Sequence, residues 1–305
     1  MTHAAEPRRS SDFRRIAALG VFFGVLLASV PITAPAGTPD AFASRYVTVD
    51  DLRVHYLEAG EGEPLILLHG LPASADMWRG AGAVLAHHYH VIMPDARGRG
   101  LTQEGRGALS EGRFARDVIG LMDRLGLVRA HVVGHSKGSL TTIHLLVDYP
   151  DRIASAVLVG SPMMSSRQST PGIQAMLLDF SALARGHPVD DPVLNEFRAT
   201  YLRATPSPER FRAFTARLMA DASAVYDPQV LPLIQTPTLV VVAGQDELIP
   251  AEHFRALAAA IPGARTAEFP KGTHVIPIES PTEFATTVAA FLNKHPLTPS
   301  APRAR

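Results

Sequence analysis

The 305-residue sequence contains no cysteine, a single tryptophan and no excess of either charge, with 29 basic and 29 acidic residues. The absence of cysteine excludes a disulfide framework, a thiolate metal site and a cysteine nucleophile. The charge balance gives no electrostatic reason to expect nucleic acid as a partner. No apolar run reaches the roughly 20 residues that cross a membrane comfortably. Hydrophobic residues still make up 46% of the chain, enough for a substantial core in one domain with an inserted subdomain or in two domains.

The first 43 residues have the pattern of an export signal. Four arginines precede an apolar run from Ile16 to Val30, and Ala41-Phe42-Ala43 follows as a candidate cleavage site. We therefore expect residues 1–43 to form a signal peptide and the mature protein to be secreted or periplasmic. An uncleaved segment that anchors the protein in the membrane is the alternative. Residues 295–305, rich in proline, alanine and arginine, are expected to be a disordered tail.

Short apolar runs alternate with helical patterns over residues 44–160 and again over 236–294. Uninterrupted runs of this kind predict strands buried on both faces, hence a mostly parallel sheet with helices on both sides. The runs are Leu65–Leu68, Val91–Met93, Val132–Val133, Ala156–Val159 and Leu239–Val242. Residues 161–235 have no strong strand run and three helical stretches, which predicts a helical insertion that serves as a lid or cap.

The segment Gly134-His135-Ser136-Lys137-Gly138 follows a β-branched apolar run and passes directly into a helical pattern. In G-x-S-x-G placed between a strand and a helix, the serine lies on a sharp turn that exposes its hydroxyl. The flanking glycines leave room for that turn. Ser136 is therefore the candidate nucleophile.

Two further residues complete an ordered set with Ser136. Asp246 follows the strand that ends at Val242, and His274 follows the last predicted strand. The active site of an open parallel sheet gathers at the carboxyl ends of its strands, so these side chains are expected to meet. A serine needs a base to accept its proton, which assigns that role to His274, with Asp246 to orient the imidazole.

Four motifs in this order resemble those of the α/β-hydrolase family over about residues 46–292. The motifs are His69-Gly70-Leu71-Pro72, Asp95 to Thr102 (D-x-R-G-x-G-x-T), Gly134 to Gly138, and His274 to Pro281 (H-x-x-x-x-E-x-P). The sequence departs from the family pattern in two places. The loop around Asp246 has one residue fewer between glycine and aspartate than the common form, and Lys137 stands where many relatives have Met or Gln.

The resemblance implies roles for further residues. It assigns the oxyanion-binding amides to Leu71 and Lys137, since Pro72 has no N–H. Met163 and Tyr201 are expected to contact substrate beneath the lid. The Lys137 side chain is expected to face solvent, while His69, His135, Asp95 and Arg97 are expected to shape loops rather than transfer protons.

The resulting expectation is a serine hydrolase that cleaves small carboxylic esters through an acyl-enzyme, as a monomer or dimer, with no metal, cofactor or nucleic acid. The alternatives are other reactions of the same fold: perhydrolase or haloperoxidase chemistry, lactone or amide hydrolysis, and C–C bond hydrolysis. The C–C hydrolases usually have different oxyanion and elbow signatures. Epoxide hydrolases and dehalogenases attack with aspartate at the position of Ser136, which argues against them. A non-catalytic ligand-binding protein is a further, weaker alternative.

Overall fold

The computed structural model describes residues 42–162, 171–221 and 227–297. Within these ranges, eight strands form one sheet: β1 Ala43–Val49, β2 Leu52–Ala59, β3 Glu63–Leu68, β4 Tyr89–Pro94, β5 Ala130–His135, β6 Ile153–Val159, β7 Thr238–Ala243 and β8 Arg265–Phe269. Their order is β1-β2-β4-β3-β5-β6-β7-β8. β2 is antiparallel to both of its neighbours, and the pairs from β4 to β8 are parallel. The mostly parallel sheet predicted from the apolar runs is confirmed.

Helices connect the parallel strands. They are α1 Arg79–Leu85, α2 Glu111–Arg124, α3 Lys137–Asp148, α4 Pro171–Ala184, α5 Pro192–Ala204, α6 Pro208–Asp221, α7 Ala251–Ala260, α8 Ile276–Glu279 and α9 Pro281–Leu292. Every residue of β5, β6 and β7 is buried. Complete burial of a strand requires cover on both faces of the sheet. A substrate can therefore reach residues of this sheet only beyond the ends of these strands, such as their carboxyl ends.

The predicted helical insertion contains α4, α5 and α6, between β6 and β7. It has an apolar cluster of its own, separate from the main core, and α2 contributes Phe114 to it. Ser207 Oγ accepts the Arg210 N–H at 3.2 Å, which caps α6 as the Ser-Pro pair predicts. Residues 163–170 and 222–226 of the predicted insertion lie outside the described residues. That the insertion acts as a lid stays a prediction.

Most of the predicted export signal, residues 1–41, lies outside the described residues, as do residues 298–305 of the predicted tail. Phe42 is described, and its side chain is buried in the main core at 7% exposure. Ala43 is the first residue of β1 and pairs with Glu58. Phe42 and Ala43 are therefore part of the described fold, although the expected cleavage after Ala43 would remove them. None of the helices in the described ranges combines the length and apolar composition that crossing a membrane requires.

Candidate active site

Ser136 lies on the turn between β5 and α3, with φ of 51° and ψ of −116°. This region is sparsely populated by residues with a side chain and persists only where the surroundings enforce it. The Ser136 N–H donates to the Val159 carbonyl at 2.7 Å, which ties the turn to the end of β6. A Cβ on Gly138 would lie 2.3 Å from the Leu68 carbonyl oxygen. Only glycine lets α3 pack this closely, so the sequence pattern has a steric cause here.

His274 and Asp246 meet at the same edge of the sheet. Nδ1 of His274 donates to Oδ2 of Asp246 at 2.8 Å, and both side chains are almost fully buried. The other carboxylate oxygen of Asp246 accepts the backbone N–H groups of Leu248 and Ile249, each at 2.8 Å. Asp246 is thus held from both sides, and its bond to Nδ1 fixes the imidazole tautomer with Nε2 as the free acceptor.

The neighbouring Glu247 does not replace Asp246 at the imidazole. Its carboxylate instead accepts the backbone N–H of His274 at 3.3 Å. The two adjacent acids therefore hold different parts of His274: Asp246 orients the ring and Glu247 supports the main chain.

Two contacts bring the His274 ring to the Ser136 turn. Gly160, the residue after β6, lies beneath the ring, so that a Cβ there would be 2.9 Å from Cε1. The ring of His135, the residue before Ser136, lies 5.0 Å from the His274 ring between centroids. Ser136 and His274 are both described, yet neither Ser136 Oγ nor His274 Nε2 makes a hydrogen bond in the described part of the chain. Catalytic hydrogen bonds of this kind are often long before substrate binds.

His135 holds the His274 main chain. Its Nε2 donates to the His274 carbonyl oxygen at 2.8 Å, so its Nδ1 carries no proton. Burial, reinforced by the neighbouring His274, lowers the pKa of His135 to about 3. His135 is therefore neutral at physiological pH and has no free proton to transfer, in agreement with a structural role.

The backbone amides of Leu71 and Lys137 are free to bind an oxyanion. Within the described residues, neither N–H donates to another protein group. The loop that presents Leu71 is fixed by His69, whose Nδ1 donates to the Gly70 carbonyl at 2.8 Å and whose Nε2 accepts the Ala96 N–H at 3.0 Å. Burial, together with the nearby Arg99 charge, lowers the pKa of His69 to about 4. Both nitrogens of His69 are thus occupied in shaping the loop.

The Lys137 side chain does not face solvent as the sequence suggested. It is 8% exposed, and its ammonium group forms an ion pair with Glu111 at the first turn of α2. Thr141 Oγ1 donates to the second oxygen of Glu111 at 3.0 Å. The expectation is wrong because α2 packs against α3 and covers the face on which Lys137 lies. No sequence pattern singled out Glu111.

Asp95 and Arg97 organise the loop that follows β4. Asp95 accepts the backbone N–H groups of Ala75 and Leu101 and a hydrogen bond from His55. The Arg97 guanidinium forms a bidentate pair with Asp117 at 2.7 and 2.8 Å. Both residues are bonded to the protein itself, as expected for loop-shaping residues.

The two predicted substrate contacts have different outcomes. Met163 lies outside the described residues. Tyr201 is 4% exposed, and its ring stacks on Phe214 with 5.1 Å between centroids and tilts against Phe211. In this conformation the ring of Tyr201 packs the insertion, and its contact with substrate stays a prediction.

Comparison with known proteins shows the family of this chain. The family description alpha/beta hydrolase fold matches residues 63–185. The dihydrolipoyllysine-residue acetyltransferase component of the acetoin cleaving system of Cupriavidus necator is 30% identical over 85% of this chain and 71% of that protein. The chain belongs to the α/β-hydrolase family.

Two other similar proteins carry hydrolase names. The 2-hydroxy-6-oxo-6-(2'-aminophenyl)hexa-2,4-dienoic acid hydrolase of Metapseudomonas resinovorans is 29% identical over 83% of this chain and 92% of that protein. The solved structure of the enol-lactonase from Burkholderia xenovorans LB400 has a TM-score of 0.67 and 26% identity, and the match covers 82% of this chain and all of that one. The α/β-hydrolase described here is accordingly a hydrolase enzyme that acts on a small molecule.

Proposed function

We propose that this protein is a serine hydrolase in which Ser136 attacks a substrate carbonyl, His274 acts as general base and Asp246 orients the imidazole. The observation that carries the proposal is the 2.8 Å hydrogen bond from His274 Nδ1 to Asp246, made at the end of the sheet where Ser136 occupies its strained turn. That bond leaves Nε2 unprotonated and able to accept the Ser136 proton. His274 then returns the proton to the leaving group.

The negative charge of the tetrahedral intermediate would be met by the N–H groups of Leu71 and Lys137. Each such preorganised donor typically lowers the barrier by about 3 kcal/mol. Water then adds to the acyl-enzyme with the same base, which releases the acid and restores Ser136. No cofactor is required for this sequence of steps.

The bond that is broken is proposed from the relatives. One relative hydrolyses a 2-hydroxy-6-oxo dienoic acid, and a solved neighbour is an enol-lactonase. Hydrolysis of the C–C bond beside the ketone, or of an enol lactone, expels a carbon or oxygen group stabilised as an enol. We propose that substrates with an enol-type leaving group are preferred. Simple carboxylic esters are the second candidate, which the H-G-x-P and G-x-S-x-G motifs favour.

A substrate panel with the purified full chain tests both the serine mechanism and the preference for an enol-type leaving group. The panel compares kcat/KM for an aryl butyrate, an isopropenyl ester, an enol lactone and a 2-hydroxy-6-oxo-6-phenyl dienoate. Ser136→Ala should abolish turnover of every substrate, while the control Ser181→Ala in the insertion should retain it. The highest kcat/KM on the isopropenyl ester, the lactone or the dienoate supports the enol preference, and the highest value on the aryl ester overturns it. Full activity of Ser136→Ala would overturn the mechanism itself.

A further inference from the structure

Lys137 and Gly138, at the start of α3, help to line a small cavity. It has a volume of about 40 Å³ and is bounded by the loop after β4, by α2 and by the first residues of α3. Most of the residues that line it are apolar. Its charged lining residues are Arg97, Arg99, Lys137, Asp95 and Asp117, and the carboxylate of Asp117 is paired with Arg97. Since one water needs about 10 to 15 Å³ of such space, the cavity has room for about three waters. A group of three heavy atoms fits this volume.

Arg99 brings unsatisfied N–H donors to this cavity. The residue is 3% exposed, and among the described residues neither Nε nor Nη2 has a hydrogen-bond partner. The guanidinium carbon lies 4.9 Å from the centre of the Phe114 ring, a contact that attracts the cation without accepting its N–H groups. Buried polar groups are normally hydrogen-bonded, and Arg99 departs from that rule.

The nearby acidic groups are engaged elsewhere. Glu111, which attracts Arg99 electrostatically, accepts hydrogen bonds from Lys137 and Thr141. Asp95 accepts from two backbone N–H groups and from His55. Burial lowers the pKa of Arg99 to about 10, so the guanidinium stays charged at neutral pH. It retains free donors beside an apolar cavity.

We propose that this cavity is a carboxylate-binding subsite and that Arg99 is its anion-binding residue. A carboxylate has three heavy atoms, matches the available volume and accepts two parallel N–H bonds from a guanidinium. The subsite shares Lys137 and Gly138 with the segment that follows Ser136. The carboxylate comes either from a free small acid or from the acidic end of a substrate held at Ser136; the second source rests on the proposed function.

The first arm measures binding without catalysis. Acetate and its neutral analogue acetamide are titrated into the full chain at constant ionic strength, and the thermal midpoint is followed. Acetate should raise Tm saturably and acetamide should not. Arg99→Gln should weaken the apparent affinity for acetate by about tenfold or more, the usual effect of losing a charged hydrogen bond. The control Arg129→Gln removes a guanidinium that does not line the cavity and donates to the Ile153 carbonyl; it should respond like the wild type.

The second arm identifies the source of the carboxylate. The ratio of kcat/KM for an aryl hemiglutarate to that for the matching aryl glutaramate should fall about tenfold in Arg99→Gln if the substrate supplies the group. An unchanged ratio together with saturable acetate binding supports a subsite for a free acid. If no substrate of the panel is turned over and acetate still binds, the proposed function fails and the subsite stands.

Equal responses of the wild type to acetate and acetamide overturn the proposal, whatever the variants do. Because that comparison needs only the wild type, it decides the matter even if Arg99→Gln fails to fold. Arg99→Lys provides a second variant: it keeps the charge and loses the two-pronged geometry. Its acetate affinity should therefore fall between those of the wild type and Arg99→Gln, and full affinity in Arg99→Gln would remove Arg99 from the site.

Discussion

Gly160 lies directly beneath the imidazole of His274: a Cβ built on it would be 2.9 Å from Cε1 and 3.5 Å from Nε2. Gly160 also has φ of +55°, in the left-handed region that side chains disfavour. The position of the His274 ring is thus limited by the backbone of Gly160 at the end of β6, and a side chain at position 160 would displace the ring.

Gly160→Ala should push the His274 ring out of line with Ser136. We expect kcat to fall by about 100-fold, the usual effect of a misplacement near 1 Å, measured on the best substrate of the panel. Gly263→Ala is the matched control, since Gly263 also has positive φ, at 72°, but nothing within 4 Å of its Cβ position. Both variants should lose about 1 to 3 kcal/mol of stability from backbone strain. Equal activity in the two would show that the ring contact has no catalytic consequence.

Asp246→Asn should lower kcat by about 10³- to 10⁴-fold, because an amide cannot stabilise the imidazolium and favours the wrong tautomer. Thermal unfolding should show that the fold is retained. Glu247→Gln should cost far less, because the Glu247 carboxylate accepts a hydrogen bond from the backbone N–H of His274 and not from its ring. If Glu247→Gln were the more damaging change, Glu247 and not Asp246 would be the acid that orients the imidazole.

The buried Lys137–Glu111 pair should couple strongly in unfolding experiments. Removing one partner leaves the other charge unpaired, so Glu111→Gln and Lys137→Met should each cost about 3 to 5 kcal/mol of unfolding free energy. The double variant should cost much less than the sum of the two. Urea titration of the four proteins gives the coupling energy, and additive losses would contradict the pairing.

Stability should fall as the pH is lowered through the range where unfolded histidine becomes protonated. His69 and His135 have folded pKa values of about 4 and about 3, below the ordinary value near 6.5. Between the folded and the unfolded pKa the unfolded chain binds more protons, so each histidine makes the unfolding free energy fall by up to about 1.4 kcal/mol per pH unit as the pH is lowered. This stability is fully present above about pH 6.5 and is lost toward about pH 4 for His69 and about pH 3 for His135.

Unfolding free energies at pH 4.5 and 5.5 check this dependence. His135→Gln should reduce the slope by about 1.4 kcal/mol per pH unit, whatever its effect on stability at pH 7. His88→Gln, at an exposed position, should keep the wild-type slope. A slope that His135→Gln leaves unchanged would mean that this histidine is not held neutral by burial.

Phe42 should mark the start of the stable domain. Its ring is buried and would lie 3.4 Å from a Cβ placed on Gly82 of α1. A shortened chain that begins at Ser44 should be about 3 kcal/mol or more less stable than one that begins at Phe42, because it loses a buried aromatic ring. Denaturant unfolding of the two chains measures the difference. Equal stability would leave the expected cleavage after Ala43 without a structural cost.

Sequence patterns predicted the parallel sheet, the insertion between β6 and β7 and the turn around Ser136. Each depends on residues close together in the chain: an apolar run of strand length, a helical period, or two glycines around a serine. The motifs could not predict the bond that is cleaved, because leaving-group preference depends on the shape of the pocket and not on the turn around Ser136. The proposal of C–C or lactone hydrolysis instead rests on the names of similar proteins.

The sequence by itself determined the fold class and named the three residues of the proposed mechanism, because strand-end motifs carry these signals within a few positions. Only the tertiary structure decided what surrounds them: the ion pair that joins Glu111 to Lys137 across 26 positions of the chain, the glycine beneath His274, and the buried guanidinium of Arg99, two of whose nitrogens have no hydrogen-bond partner among the described residues. Such contacts arise when elements distant in the chain pack together. A local sequence pattern does not specify the partner of a buried charge.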